Sequence, residues 1–167
     1  LLWSLENPNM YTLITQLNVN DKIVDEYKTP FGIRTIQFDA DKGFFINGKY
    51  IKLKGTNNHQ DHAGVGVAIP DELQKYRLLQ LKSFGNNAYR CSHNPPTPEL
   101  LDWCDKLGIL VIDENRLMGT TENDLNELKR LIVRDRNHPS VIVWSIGNEE
   151  WAIEGNIKGE RIASTMQ

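Results

Sequence analysis

The chain lacks the charge clusters and long apolar runs that mark several broad protein classes. Its net charge is only -3 and it has no Lys/Arg cluster, so it carries no basic footprint for nucleic acid or for an anionic membrane. No apolar run approaches the roughly 20 residues that a membrane-spanning helix needs. We therefore predict neither a nucleic-acid partner nor a membrane partner.

Cysteine is scarce, and the two present, Cys91 and Cys104, have no CxxC spacing. Cys91 falls at a predicted strand end and Cys104 in a predicted helix, and we interpret both as small buried thiols. A disulfide between them requires a close approach of the two Cβ atoms, which the sequence does not establish.

Motifs for several chemistries are also missing. Gly64-Val65-Gly66 lacks the third glycine of a dinucleotide site, and the chain contains no phosphate loop, nucleophile elbow or zincin pattern. His59 and His62 have a spacing that suits a metal, but no thiol or third ligand accompanies them. We predict no metal site and no cofactor.

The length of 167 residues suits a sizeable core but is too short for a complete eight-stranded α/β barrel of about 250 residues. The chain begins with Leu1 and not with Met, so the presence of an upstream leader is left open. The location, cytoplasmic or periplasmic, is open for the same reason.

Residues 1–40 have only β-type patterns. Two β-rich runs, 11–17 and 22–27, flank a turn and predict a hairpin, and the alternating run 31–38 predicts a further strand. We interpret residues 1–40 as the end of a β-sandwich domain, with a boundary in the polar turn 39–43.

Residues 41–167 begin with another hairpin signal, Asn47-Gly48 between apolar runs, and then alternate strand with helix. This order predicts right-handed βαβ units and a parallel sheet. The predicted helices are 71–83, with Leu73, Tyr76, Leu79 and Leu78 on one face, then 98–107, 122–136 and 156–166. The predicted strands end at about Thr56, Arg90, Asp113 and Asn148.

Each of these strands ends in polar residues, so one edge of the sheet is expected to carry the function. A barrel and an open doubly wound sheet give the same local pattern. The segment 135–149 is the most informative: its apolar run 141–146 reads as a strand buried on both faces, and it stops at Asn148 and Glu149. A carboxylate there can act as a general acid or base, and the neighbouring Asn can bind a substrate hydroxyl.

This segment closely resembles the acid/base signature of glycoside hydrolase family 2, which includes β-galactosidases, β-glucuronidases and β-mannosidases. A second signature covers residues 87–95 and continues to 112, departing from many members at Asn94, where they carry Tyr. Residues 55–62 are similar to a third family block. The resemblance implies the first half of a (β/α)8 TIM barrel, residues 41–167, preceded by the end of an immunoglobulin-like β-sandwich, residues 1–40.

The resemblance implies Glu149 as the acid/base catalyst, with Glu150 one place too late for that role. It implies Asn148 as the partner of a sugar 2-hydroxyl, and His59 and His93 as walls of the pocket. Trp151 is the candidate for stacking on sugar, since Trp144 lies within the apolar strand. His62 is a weaker candidate for the site.

Arg90 is expected to pair with Glu149 or with a carboxylate outside the chain, or to form a plain barrel-interior salt bridge. Asp113 and Glu114 are expected either to support the catalytic face or to cap the next loop. A magnesium-binding subgroup of β-galactosidases carries a further Glu and His after this strand. Residues 115–119 lack both, so no magnesium requirement is predicted.

The resemblance therefore implies a retaining exo-glycosidase, most closely a β-galactosidase, in which a second Glu from a later strand is the nucleophile. The expected partner is an oligosaccharide or glycoside substrate, and a homo-oligomer is left open. The alternatives are a β-glucuronidase or β-mannosidase of the same family, or a catalytically inactive structural fragment.

Overall fold

The computed structural model describes residues 1–150 and 157–167. Nine strands and four helices lie in those ranges. The strands are β1 (Tyr11–Val19), β2 (Lys22–Phe31), β3 (Ile36–Asp39), β4 (Gly43–Ile46), β5 (Lys49–Tyr50), β6 (Gly55–His59), β7 (Ala88–Ser92), β8 (Leu110–Glu114) and β9 (Val141–Ser145). The helices are α1 (Asp71–Ser83), α2 (Pro98–Leu107), α3 (Glu122–Asp135) and α4 (Ile157–Met166).

A four-stranded parallel sheet in the order β6-β7-β8-β9 organises the second part of the chain. The helices α1, α2 and α3 connect its successive strands, which confirms the predicted half of a TIM barrel. Both α1 and α2 have their predicted bounds, and Gly108 ends α2 in the left-handed conformation with a φ of 66°. The main core lies between the sheet and its helices and includes Leu78, Tyr89, Leu101, Val111 and Val141.

The strand ends differ from the prediction by one to three residues. Parallel pairing continues to His59 and Ser92 in β6 and β7, beyond the predicted ends at Thr56 and Arg90, because the backbones of these polar residues still pair. In the other direction, β9 ends at Ser145, before Ile146 and Asn148.

The predicted apolar face of α1 is confirmed for Leu78 and the half-buried Leu73 and is wrong for Tyr76 and Leu79. Tyr76 and Leu79 are 56% and 42% exposed, whereas Gln74 and Leu78 are buried. Leu78 packs into the core beside α2, and the Gln74 side chain accepts a hydrogen bond from Thr97 Oγ1 at 3.2 Å. A polar side chain therefore lies on the buried face because it has a partner there.

The first forty residues contain the predicted hairpin, β1 with β2. Both of its faces are exposed, and in the described residues these two strands pair only with each other. The predicted single strand 31–38 is wrong, since β2 ends at Phe31 and β3 begins at Ile36. Between them Gly32 lies against the ring of Pro139, and Arg34 Nε donates to the carbonyl of Pro139 at 2.6 Å.

The second predicted hairpin is confirmed as β4 and β5, with Asn47 and Gly48 at φ values of 51° and 76° as a type I′ turn requires. β3 joins this sheet by pairing with β4 across the turn that holds the predicted domain boundary. That division of the chain stays a prediction. Phe44, Ile46 and Trp3 pack with Leu110 and Ile142, so this sheet lies against the amino-terminal half of the barrel strands.

Cys91 and Cys104 are both buried and free, as predicted. Burial raises the pKa of each thiol well above its usual range, so neither is a ready nucleophile. In the ranges 1–150 and 157–167, none of the helices has the length and apolarity that crossing a bilayer requires.

Candidate active site

Glu114, at the carboxyl end of β8, lies at the centre of the polar groups on the inner face of the sheet. Its side chain has 0% exposure. Oε2 accepts from Arg90 Nε at 2.8 Å and from Ser145 Oγ at 3.0 Å, while Oε1 lies 2.6 Å from His93 Nδ1. One buried carboxylate therefore connects the ends of β7, β8 and β9.

The prediction that Arg90 pairs with Glu149 is not met. Its guanidinium pairs with Glu114, with Nη2 at 2.6 Å from Oε2. Nη1 also donates to Asn57 Oδ1 at 3.3 Å and Nη2 to Asn148 Oδ1 at 2.8 Å. Arg90 therefore joins β6 to the loop after β9 and forms a barrel-interior salt bridge, while its pairing with a carboxylate outside the chain stays a prediction.

His59 and His93 are brought together, as their positions after adjacent strands suggested. Their ring centroids lie 5.2 Å apart with an interplanar angle of 84°, an edge-to-face arrangement. The carbonyl of His59 also accepts from Arg77 Nη2 at 3.0 Å, which ties the end of β6 to α1. His62 instead lies in a tight turn, where its backbone N–H donates to Gly66 at 2.9 Å.

Glu149 follows Asn148 at the same edge of the sheet and is exposed. Within residues 1–150 and 157–167 its carboxyl has no hydrogen-bond or ion-pair partner. Its backbone has a φ of 39°, in the left-handed region that a residue with a Cβ occupies at a cost. Such backbone is concentrated at functional sites. Trp151, the predicted stacking residue, lies outside the described residues.

Asp113, next to Glu114 in β8, belongs to a different environment. It is fully buried, and neither carboxyl oxygen has a hydrogen-bond partner when both it and Asp135 are ionised. Burial first, and then the hydrogen bond and charge of Asp135, raise the pKa of Asp113 to about 8. Asp135 in turn accepts from Arg134 at 2.6 Å through each of its oxygens. Asp113 therefore holds a proton near neutral pH and connects β8 to α3.

The loop that replaces the magnesium ligands packs onto the segment before Glu149. A Cβ built on Gly147 would overlap the side chain of Met118, so these residues are in close contact. Asn115 Nδ2 donates to the carbonyl of Leu117 at 2.8 Å, and the Gly119 N–H lies 3.3 Å from Met166 Sδ. A thioether is a poor ligand for a hard cation, and residues 115–119 contain no carboxylate and no imidazole.

In the described parts of the chain, one group of side chains has the spacing of metal ligands, namely Asp102, Asp105 and His138. Two of these side chains, Asp105 and His138, already take part in hydrogen bonds. His138 Nδ1 lies 2.7 Å from Asp105 Oδ2, and the Ser140 N–H donates to Asp105 Oδ1 at 3.0 Å. Burial alone would lower the pKa of His138, but the hydrogen bond to Asp105 raises it overall. The hydrogen bonds of Asp105 to His138 and Ser140 join α2 to the loop between α3 and β9.

Sequence reasoning undervalued Glu114 and missed Ser145. Glu114 alternates with Ile112 and Leu110, which lie on the inner face, so strand periodicity carried the signal that it points into the barrel. Ser145 carried none, because the contact of its hydroxyl with Glu114 depends on the register of β9 against β8.

Comparison with known proteins agrees with this architecture. The profile described as "Glycosyl hydrolases family 2, TIM barrel domain" matches residues 39–126 and 119–166, and "Glycosyl hydrolases family 2" matches residues 1–34. The chain belongs to glycoside hydrolase family 2.

Relatives within the family carry two activity names. The chain is 45% identical over 163 residues to "Beta-galactosidase BoGH2A" of Bacteroides ovatus, covering 89% of this chain and 19% of that protein. It is 40% identical over 160 residues to a "Putative beta-glucuronidase" of Formosa agariphila, covering 89% of this chain and 16% of that protein. The chain thus spans less than a fifth of the length of either.

A solved β-glycosidase structure has the same fold. The crystal structure of a β-glycosidase from Bacteroides vulgatus superposes with a TM-score of 0.88 at 41% sequence identity. The match covers 98% of this chain and 22% of that one. The barrel strands and helices described above are therefore those of the family.

Proposed function

We propose that the parent protein is a retaining, exo-acting glycoside hydrolase that cleaves terminal β-linked sugars, with β-D-galactosides as its substrates. The observation that carries the proposal is the set of polar groups at the carboxyl edge of the sheet. Arg90, His93 and Asn148 are linked there beside the exposed carboxyl of Glu149. Sugars need hydrogen-bonding groups of this kind around the scissile bond.

Glu149 is the proposed acid/base. It protonates the oxygen of the leaving group in the first step and removes a proton from water in the second. Asn148 binds a hydroxyl of the sugar, and His59 and His93 form a wall of the pocket. Arg90 does not bind the sugar itself but orients the Asn148 carboxamide by donating a hydrogen bond to its oxygen.

A retaining mechanism needs a second carboxylate about 5–5.5 Å from the first, as the nucleophile. No candidate for it was found by sequence reasoning within this chain, and we assign it to another part of the parent protein. The 167 residues alone are then half of a catalytic site, and we propose that they are inactive in isolation.

β-Glucuronidase is the second candidate, because relatives with this name match almost as well as the β-galactosidase. Hydrolysis rates of the full-length parent on p-nitrophenyl β-D-galactoside, glucuronide and mannoside decide between the activities. The galactoside is expected to be the fastest. Faster hydrolysis of the glucuronide would show that the parent is a β-glucuronidase. If none of the three glycosides is hydrolysed, the proposed glycosidase activity is refuted.

A further inference from the structure

The Glu114 carboxylate is buried away from solvent, yet it pairs with Arg90, which donates to Asn148, and it contacts His93 directly. We infer that Glu114 is a positioning residue that sets which sugar-binding groups donate hydrogen bonds and which accept them. This inference rests on the function proposed above, because it concerns how the same pocket forms hydrogen bonds with a sugar hydroxyl.

The first group is the carboxamide of Asn148. Glu114 fixes the guanidinium of Arg90 through Nε and Nη2, and Nη2 then lies 2.8 Å from Asn148 Oδ1. A guanidinium only donates, so it selects the oxygen end of the carboxamide. The NH2 end of Asn148 is left facing away from Arg90. Asn148 is therefore a hydrogen-bond donor toward a sugar hydroxyl.

The second group is the imidazole of His93. Its Nδ1 lies 2.6 Å from Glu114 Oε1, and an ionised carboxylate only accepts, so Nδ1 carries the proton. In the neutral ring Nε2 is then an acceptor. The perpendicular ring of His59 packs against His93 and restricts its rotation. The neutral His93 ring is therefore an acceptor toward a sugar hydroxyl, opposite in sense to Asn148.

The Glu114 carboxylate thus makes Asn148 a hydrogen-bond donor and His93 a hydrogen-bond acceptor. A hydroxyl both donates and accepts, so it suits a pocket with one group of each kind. A carbon-bound fluorine accepts weakly and cannot donate. Replacing a hydroxyl by fluorine should therefore be tolerated beside Asn148 and penalised beside His93.

The deciding variant is Glu114→Gln in the full-length parent. Glutamine has one oxygen and one NH2, and the donors of Arg90 take the oxygen. Its NH2 then faces His93 Nδ1 and moves the ring proton to Nε2, which makes His93 a donor. We expect KM for the nitrophenyl glycoside to rise by up to about tenfold, the size of one lost hydrogen bond between neutral groups.

Inhibition constants show which pocket groups donate hydrogen bonds and which accept them. They are measured for the sugar that the enzyme releases and for analogues in which one hydroxyl is replaced by fluorine. In the wild-type enzyme one fluoro position should weaken binding about tenfold or more, and this penalty should shrink in Glu114→Gln. Loss of packing alone would weaken all analogues equally. The matched control is Asp113→Asn, the neighbouring buried acid on the other face of β8, which should keep the wild-type pattern.

Asn148→Asp provides an independent test should Glu114→Gln not fold. It keeps an oxygen for Arg90 but replaces the NH2 donor by a second acceptor, so sugar binding should fall at least about tenfold. An active wild-type enzyme whose variants keep the wild-type KM and fluoro pattern would overturn the inference. A wild-type enzyme that hydrolyses no member of the glycoside panel would instead overturn the proposed function.

Discussion

Asp113 and Glu114 are consecutive residues of β8, both fully buried, and their side chains lie on opposite faces of the sheet. Glu114 faces the inner side, where it accepts hydrogen bonds from Arg90 and Ser145. Asp113 faces α3, where the carboxyl of Asp135 and the guanidinium of Arg134 surround it. The same pair of acids therefore serves the candidate site on one side and the packing of a helix on the other.

The burial of Asp113 beside Asp135 predicts that the free energy of unfolding depends on pH. The pKa of Asp113 is raised to about 8 in the folded protein by burial and by Asp135, from its ordinary value of 3.8. Between these values the folded state binds a proton that the unfolded state has lost. This contribution to stability is therefore complete below about pH 4 and falls as the pH rises to about 8, at no more than about 1.4 kcal/mol per pH unit.

Asp113→Asn mimics the protonated acid and removes this dependence. Its thermal unfolding midpoint relative to the wild type should rise between pH 5 and pH 8 and then level off. Melting curves of the full-length parent across this range provide the test. A variant that tracks the wild type in parallel over all pH values would show that Asp113 does not hold a proton.

Glu149→Gln should slow hydrolysis by roughly 10²–10⁴-fold, the range of general acid/base catalysis. Glycosides with very good leaving groups need little protonation, so their first step should be less affected. Added azide should partly restore turnover and yield a glycosyl azide of retained configuration. Glu150→Gln is the matched control, and if it behaves this way while Glu149→Gln does not, the acid/base has been assigned to the wrong neighbour.

The activity of the full-length parent should survive EDTA with little loss. Residues 115–119 lack the acid and imidazole of the magnesium-binding subgroup, and Met118 packs against Gly147 in that loop. Rates before and after chelation, and after adding magnesium back, are the measurement. A complete loss that only magnesium restores would contradict the prediction.

The isolated 167-residue chain should show no glycosidase activity and should self-associate. Among the described residues, β6 and β9 are the edge strands of the parallel sheet, and unpaired edges favour pairing with another chain. The inner face next to them carries apolar side chains, including Leu53 at 38% exposure. Light scattering that finds a stable monomer with a cooperative melt would argue against this, as would turnover of a nitrophenyl β-galactoside.

Gly108→Ala should destabilise the protein more than Gly85→Ala. Both glycines have a positive φ, at 66° and 87°, so each substitution brings backbone strain of about 1–2 kcal/mol. A Cβ at Gly108 would in addition overlap the carbonyl of Leu5, whereas nothing lies near a Cβ at Gly85. The difference between the thermal unfolding midpoints of the two variants measures the cost of the contact with Leu5. Equal decreases in the midpoint would show that the backbone of Leu5 moves aside at little cost.

Local patterns determined much of the fold. Helix α2 begins at Pro98 after the Thr97 cap and ends at Gly108, because these residues satisfy or stop the helical backbone by themselves. The turn at Asn47-Gly48 is equally local. The parallel order of β6 to β9 followed from the alternation of strand and helix, and the motif around Asn148 and Glu149 indicated the family.

The tertiary structure decided which polar groups meet. The sequence placed Arg90, His93 and Asn148 at strand ends, but their common link through Glu114 depends on the register of three strands, which only packing sets. The same holds for α1, where Gln74 is buried because Thr97 is there to donate a hydrogen bond. Hydrogen-bond partners far apart in the chain leave no periodic trace in the sequence, whereas caps and turns act within a few residues.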